Sequence, residues 1–266
     1  MARPFSQTMK KFIRNAGVEK LAWIVFMPLL RNYPVESWPG FIGRLCQLKV
    51  PKGVRPNPVR SPVGAVNIKI VLTLLQSVQH LAGDVAECGV FRGATVIPMG
   101  QWLNDVGSKK MVWGFDSFQG FDDSVAADIE LGGDVDPQKM VGGFSLTSLQ
   151  EVQEKVDRLQ LTGRIHLVKG TFKDTLPKYQ HQYFSFVHLD CDLYESYKVC
   201  LDFFYPRVVP GGIILFDEYN DPPWPGCNKA VDEFLTDKPE KPVEIEMDNY
   251  IKYYIKVSEK HIPACS

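Results

Sequence analysis

From residue 63 to residue 257 the apolar positions follow two alternating rhythms. Ile68, Val71, Leu72, Leu75 and Val78 recur at helical spacing, which predicts a helix over Ile68–Leu81 with that face buried. Short β-rich runs follow at Asp84–Cys88, Met111–Asp116, Ile165–Lys169, Phe184–Asp190 and Gly212–Asp217. Helical stretches separate them at Thr95–Val106, Ser148–Leu159 and Ser196–Tyr205. Strand and helix taken in turn predict a parallel sheet with helices on both faces. The rhythm then changes. Val243–Met247 and Tyr250–Val257 read as strands joined by Asp248-Asn249, which is an antiparallel hairpin.

Composition narrows the class without naming a function. The 266 residues are 45% apolar and 23% charged, an ordinary globular balance that excludes a disordered or collagen-like chain. The net charge of −1 conceals an asymmetry. Residues 1–60 hold eleven Lys or Arg against Glu19 and Glu36, a charge of +9, which leaves −10 on the remainder. Residues 1–60, closing in the proline-rich Val50–Pro58, read as a basic helical extension and linker, and residues 61–266 as the folded domain. None of the six cysteines forms a C-x-x-C pair or a zinc spacing, so reduced thiols and a cytoplasmic setting are expected. The longest apolar run, Leu21–Leu30, is too short to span a bilayer; with its flanking Lys and Arg it is a candidate for peripheral contact with an anionic membrane.

Candidate chemistry collects at the ends of the predicted strands. The first strand runs into Glu87-Cys88-Gly89-Val90-Phe91-Arg92-Gly93, where a nicotinamide-binding turn would begin with glycine. The Glu87 carboxylate would repel a pyrophosphate and suits a cationic ligand such as the amino group of S-adenosylmethionine, while Gly89 and Gly93 permit a close backbone approach. Asp116 closes the second strand, where a carboxylate can bind ribose hydroxyls; the alternative is a simple turn or cap. Asp190 closes the fourth strand and Asp217-Glu218 the fifth. Neighbouring strands would bring these three carboxylates together, and such a group needs a cation or proton. An all-oxygen set of this kind favours Mg²⁺, with Asp190 as both ligand and general base; the alternative is two sets of solvated helix caps.

Two further stretches bear on the acceptor. Phe121–Phe144 carries six acidic residues and two Gly pairs with no strong periodicity, which predicts a loop acting as a lid, at about 121–147, or a solvated insertion. Asp221-Pro222-Pro223-Trp224 spells a tetrapeptide seen in base-amino methyltransferases, although here it follows the fifth strand and reads as a turn into a helix at Asn228–Leu235. His188 shares a strand face with Asp190 and is read first as a satisfied buried histidine, with a role supporting the metal as the alternative.

Five parallel strands closed by a reversed hairpin match a class I methyltransferase, a Rossmann-like α/β fold. The segments GDVAECGVFRGAT, GFDSFQGF, GGFSLTSLQEV, LVKGTFKDTLP, LDCDLYES, PGGIILFDEY and WPGCNKAVDEF, in this order, resemble the macrocin O-methyltransferase-like family. That resemblance, from about Gly83 to Val257, implies transfer of a methyl group from S-adenosylmethionine to a hydroxyl of a sugar or similar polyhydroxyl molecule, with Mg²⁺. It places Asp190, Asp217 and Glu218 at the metal and Asp190 as the base. Its cofactor segments imply contacts from Glu87, Gly89, Val90, Gly93, Ala94, Thr95, Asp116, Ser117, Gly170, Phe172 and Asp190. It departs from the family at Glu218 (usually Asp), Cys191 (usually Gly) and His188 (commonly Arg). A homodimer and a small-molecule acceptor, with no nucleic acid, are the implied partners. The rival readings are a nucleic-acid methyltransferase using the basic arm and Asp221–Trp224, and a non-catalytic scaffold.

Overall fold

The computed structural model describes residues 65–121, 125–132 and 144–258. The basic extension, Leu21–Leu30 and most of the expected lid lie outside the described residues. The domain opens with helix α1 (Ala65–Ser77), followed by β1 (Asp84–Cys88), α2 (Val96–Asp105) and β2 (Val112–Asp116). A short α3 (Ala126–Glu130) and α4 (Leu149–Arg158) lead to β3 (Ile165–Lys169), and α5 (Phe172–Thr175) to β4 (Phe184–Leu189). Then come α6 (Tyr194–Phe204), β5 (Val208–Phe216), α7 (Pro225–Leu235), β6 (Val243–Met247) and β7 (Tyr250–Lys256). The sheet order is β3-β2-β1-β4-β5-β7-β6. The first five strands are parallel, and β7 runs antiparallel to both β5 and β6. This is the expected α/β sheet with its C-terminal hairpin, and its turn is tight because Asp248 and Asn249 both take positive φ (51° and 63°).

Alternation along the strands divides the core in two. Val85, Val112, Ile165, Phe186, Ile213 and Leu215 pack under α1, α2 and α4. Ala86, Phe115, Val187, Leu189, Ile214 and Phe216 pack under α6 and α7 on the other face. Every residue of β4 is buried, as a central parallel strand requires. The buried face of α1 is rotated from the one expected. Asn67, Ile70, Val71, Leu74, Leu75 and Val78 are buried, while Ile68 and Leu72 are only partly covered. The stripe therefore contains a polar residue, Asn67, which has a partner at the site.

The stretch read as an unbroken loop also differs from expectation. Five of its residues form α3, whose Asp128 is buried and accepts the backbone N–H of Tyr194 at 3.1–3.2 Å. Tyr194 starts α6, which has no capping side chain of its own, so Asp128 caps it from a distance. Gly226 makes room for this contact, since a Cβ there would overlap the Asp128 carboxylate. At the stems of the same stretch, the rings of Phe121 and Phe144 lie 5.2 Å apart; Phe144 also meets Phe91 at 5.3 Å, and Phe121 meets Trp224 at 6.0 Å.

Candidate functional site

The site is a consequence of register at the carboxyl ends of β1, β4 and β5. Glu87 pairs with His188 across β1 and β4, and His188 pairs with Leu215 on β5. Two residues beyond Leu215, on the same face by alternation, comes Asp217. His188 thus lies between two carboxylates, with Nδ1 3.0 Å from Glu87 Oε1 and Nε2 3.3 Å from Asp217 Oδ1. Asn67 of α1 covers this face and donates to Asp217 Oδ1 at 2.9 Å. Lys252 of β7 reaches the same carboxylate, with Nζ 2.8 Å from Oδ2, and also donates to the Asp217 carbonyl.

Glu218, one residue on, points to the opposite face, where the Tyr197 hydroxyl of α6 lies 2.6 Å from its Oε2 and 2.8 Å from the Leu189 carbonyl. Between the two faces sits Asp190. One carboxylate oxygen from each of Asp190, Asp217 and Glu218 lies within 4.8 Å of the others, and Glu87, His188 and Asp190 form a second such group. The structure therefore brings together all three residues expected at the metal.

The charges of this cluster are unequal. Burial and then the facing Asp217 and Glu218 carboxylates push the Asp190 carboxyl well above its usual range. Burial also raises Glu218 to about 8, with Asp192 and Asp217 adding to it. Asp217 goes the other way: burial opposes its charge, but Lys252 and His188 outweigh it and hold the carboxyl low. His188 is likewise opposed by burial, yet its bonds to Asp217 and Glu87 raise it to about 10. Glu87 is raised by burial, and its buried Oε2 has no hydrogen-bond partner among the described residues.

The expected cofactor residues occupy the loops on the β1–β2 side. Gly89 has φ +93°, and a Cβ there would collide with the carbonyl oxygen of Asp190. Its freedom thus serves the packing of one strand-end loop on another, where the sequence had suggested ligand approach alone. Gly93 has φ +81° beside Ile97 and Val152. Val90 and Thr95 are buried, and Ala94 is partly so. Asp116 accepts the backbone N–H groups of Phe91 at 2.7 Å and Phe118 at 2.5 Å, so it braces two turns, with Ser117 between it and Phe118. Gly170 follows β3 with φ +144°, and Phe172 opens α5. Strained backbone recurs here, with non-glycine residues at positive φ after β1 (Phe91, 47°), β2 (Phe118, 52°), β4 (Asp192, 60°) and β5 (Asn220, 65°).

Beside the acidic cluster lies a cleft of about 290 Å³ walled by Asp217, Tyr219, Asp221, Tyr250 and Lys252. Asp221 belongs to this wall, and the tetrapeptide it begins stays after β5 and leads into α7, which starts three residues earlier than expected. Asn67, Tyr197 and Lys252 were not predicted. Only Asn67 left a trace in the sequence, as the one polar residue on an apolar helical stripe. Among the described residues, no helix is long and apolar enough to cross a membrane, and Cys88, Cys191, Cys200 and Cys227 are free thiols.

A parallel sheet of this order, closed by a reversed hairpin and acidic along its carboxyl edge, defines a class I methyltransferase fold. Residues 56–256 match the TylF macrocin-O-methyltransferase family, and the chain belongs to it. It is 34% identical over 142 residues to the 8-demethyl-8-(2,3-dimethoxy-alpha-L-rhamnosyl)-tetracenomycin-C 4'-O-methyltransferase of Streptomyces olivaceus, covering 52% of this chain and 53% of that one. The mycinamicin III 3''-O-methyltransferase of Micromonospora griseorubida is 32% identical over 155 residues, 57% of this chain and 60% of its own. The solved O-methyltransferase NovP gives a TM-score of 0.58 at 28% identity, covering 73% of this chain and 78% of that one. The chain thus spans between 53% and 60% of the length of these two curated relatives.

Proposed function

We propose that this protein transfers a methyl group from S-adenosylmethionine to a hydroxyl of a sugar-bearing or similar polyhydroxyl small molecule, with a divalent cation, Mg²⁺, at Asp190, Asp217 and Glu218. The observation that carries the reading is the meeting, on one sheet edge, of an unpartnered carboxylate oxygen on Glu87 with the three-carboxylate cluster. The family and the named activities of its relatives point the same way.

The residues present fit both groups. Glu87 Oε2 is a buried acceptor lacking a donor, which an ammonium would supply. Asp190, Asp217 and Glu218 each offer a carboxylate oxygen within 4.8 Å of the others, an all-oxygen donor set of the kind a divalent cation takes. When bound, the cation lowers the pKa of the acceptor hydroxyl and fixes its oxygen.

Methyl transfer is an in-line displacement in which the acceptor oxygen–carbon bond forms as the carbon–sulfur bond breaks, so the protein's task is largely alignment. Asp190, which lies in both acidic groups at the sheet edge, takes the hydroxyl proton on its carboxylate oxygen. Tyr197 fixes Glu218, while Asn67 and Lys252 fix Asp217, so the carboxylates keep their places as charge moves. The neighbouring cleft, with tyrosine faces and Asp221 in its wall, suits a polyhydroxyl ring.

The test is methyl-ether formation from S-adenosylmethionine on a panel of deoxysugar glycosides. Products should appear with Mg²⁺ and vanish with EDTA; turnover undiminished by EDTA would remove the cation from the proposal. Asp190→Asn should lower turnover by roughly 10²–10⁴-fold and leave S-adenosylhomocysteine affinity nearly intact by calorimetry. Turnover close to wild type would remove Asp190 as base.

A further inference from the structure

His188 touches both halves of the site, yet its geometry rules out the usual catalytic use of histidine. The ring is fully buried at 0% exposure, and each nitrogen faces a carboxylate. Both ring nitrogens are thus taken up by carboxylates of the protein itself. What the ring does is span. Nδ1 meets Glu87, whose other oxygen is the orphan that awaits a cationic partner, and Nε2 meets Asp217 of the acidic cluster. The two carboxylates lie on different strands, β1 and just past β5, with only β4 between them. An imidazole ring is rigid, so it sets the spacing of the two carboxylates while each nitrogen holds its own partner.

We infer that His188 is a positioning residue that aligns the ammonium-binding carboxylate of Glu87 with the cation-binding carboxylate of Asp217, so that methyl donor and acceptor oxygen are brought into line by a single side chain. This rests on the methyltransferase reading above. It goes beyond that reading in giving each ring nitrogen a separate duty, and that separation can be measured.

The amide nitrogen of Asn falls near the place of Nδ1, and that of Gln near the place of Nε2. His188→Asn should therefore keep the bond to Glu87 and lose the one to Asp217, and His188→Gln should do the reverse. Calorimetry with S-adenosylhomocysteine and, separately, with Mg²⁺ reads the two ends. In His188→Asn the S-adenosylhomocysteine Kd should stay within about threefold of wild type while the Mg²⁺ Kd rises about tenfold, the size expected for a bond to a charged group. In His188→Gln the pattern should invert. A residue that only fills space would shift both affinities together in both variants, and that result would overturn the inference.

A measurement on the wild type covers the case in which neither variant folds. With ¹⁵N-labelled histidine, the two ring nitrogen signals of His188 should respond selectively, Nδ1 to S-adenosylhomocysteine and Nε2 to Mg²⁺. Signals that ignore both ligands, or move equally with each, would also overturn it. If the wild-type protein takes up neither ligand, the methyltransferase reading itself fails, and the inference falls with it.

Discussion

The two halves of the sheet edge are built by different means. On the β1–β2 side, the loops are braced from within: Asp116 accepts the N–H groups of Phe91 and Phe118, glycines at positive φ shape the loop after β1, and only Glu87 turns to a side chain from another strand, His188. On the β4–β5 side, Asp217 and Glu218 are held by side chains from elsewhere in the chain. Asn67 reaches Asp217 across 150 residues, and Lys252 and Tyr197 come from a reversed strand and a helix. The first half uses backbone donors that any turn offers. The second concentrates charge that backbone donors alone cannot balance, so it recruits a lysine, an amide and a phenol.

That contrast can be broken at Lys252. Removing one partner of a buried ion pair leaves the other uncompensated, and Asp217 is only 16% exposed. Lys252→Met should destabilise the fold by about 3 kcal/mol, a loss of roughly 6–12 °C in Tm for a domain of this size. Millimolar Mg²⁺ should restore more of that loss in the variant than it adds to wild type, because the cation replaces the missing charge. A variant with unchanged Tm would mean the β4–β5 half is as self-sufficient as its neighbour.

Glu87→Gln probes the other half. It should weaken S-adenosylhomocysteine by about 10–100-fold through the lost charge on Oε2, while Mg²⁺ affinity measured by calorimetry moves less than about threefold. Equal losses for both ligands would erase the distinction between the halves.

The smallest expected effect lies at Asp128, where a long-range contact is made by an acid that burial raises to about 6 despite the N–H of Tyr194. A carboxyl with a higher pKa folded than unfolded binds its proton more tightly in the folded state. Its contribution is therefore fullest at acid pH and fades as pH rises from about 4 to 6. Asp128→Asn keeps an acceptor for Tyr194 but cannot titrate. Thermal melts at pH 4.5 and pH 7 should show the variant gaining on wild type by about 1 kcal/mol, or roughly 2–4 °C. A gap that is the same at both pH values would contradict this.

The same contrast explains what could be read from the sequence. The sheet, its order of helices and the hairpin turn were legible because period, turn residues and apolar runs are local signals. Glu87, Asp116, Asp190 and Asp217-Glu218 stood out because each closes a strand. The residues that hold them did not. Lys252 sits in an apolar strand and Tyr197 inside an ordinary helix, and neither neighbourhood tells of a carboxylate that folding will bring alongside. Asn67 was hinted at by its place on α1, but the predicted face was rotated towards Ile68 and Leu72, which concealed it. Helix α3 was missed because five residues are too short for a period to show.

The clasp of Phe91, Phe121, Phe144 and Trp224 has a bearing on how such proteins diversify. Phe121 and Phe144, the two stems of this stretch, meet in one aromatic knot, Arg92 donates to the Leu146 carbonyl at 2.9 Å beside it, and Asp128 between the stems is tied to the start of α6. Stems held together in this way make a change of length between them cheap, since each doubling of a loop costs only about 0.6 kcal/mol of closure entropy. The sequence between the stems can therefore change at little cost, provided Asp128 keeps its hold on α6 and the charged sheet edge is left untouched.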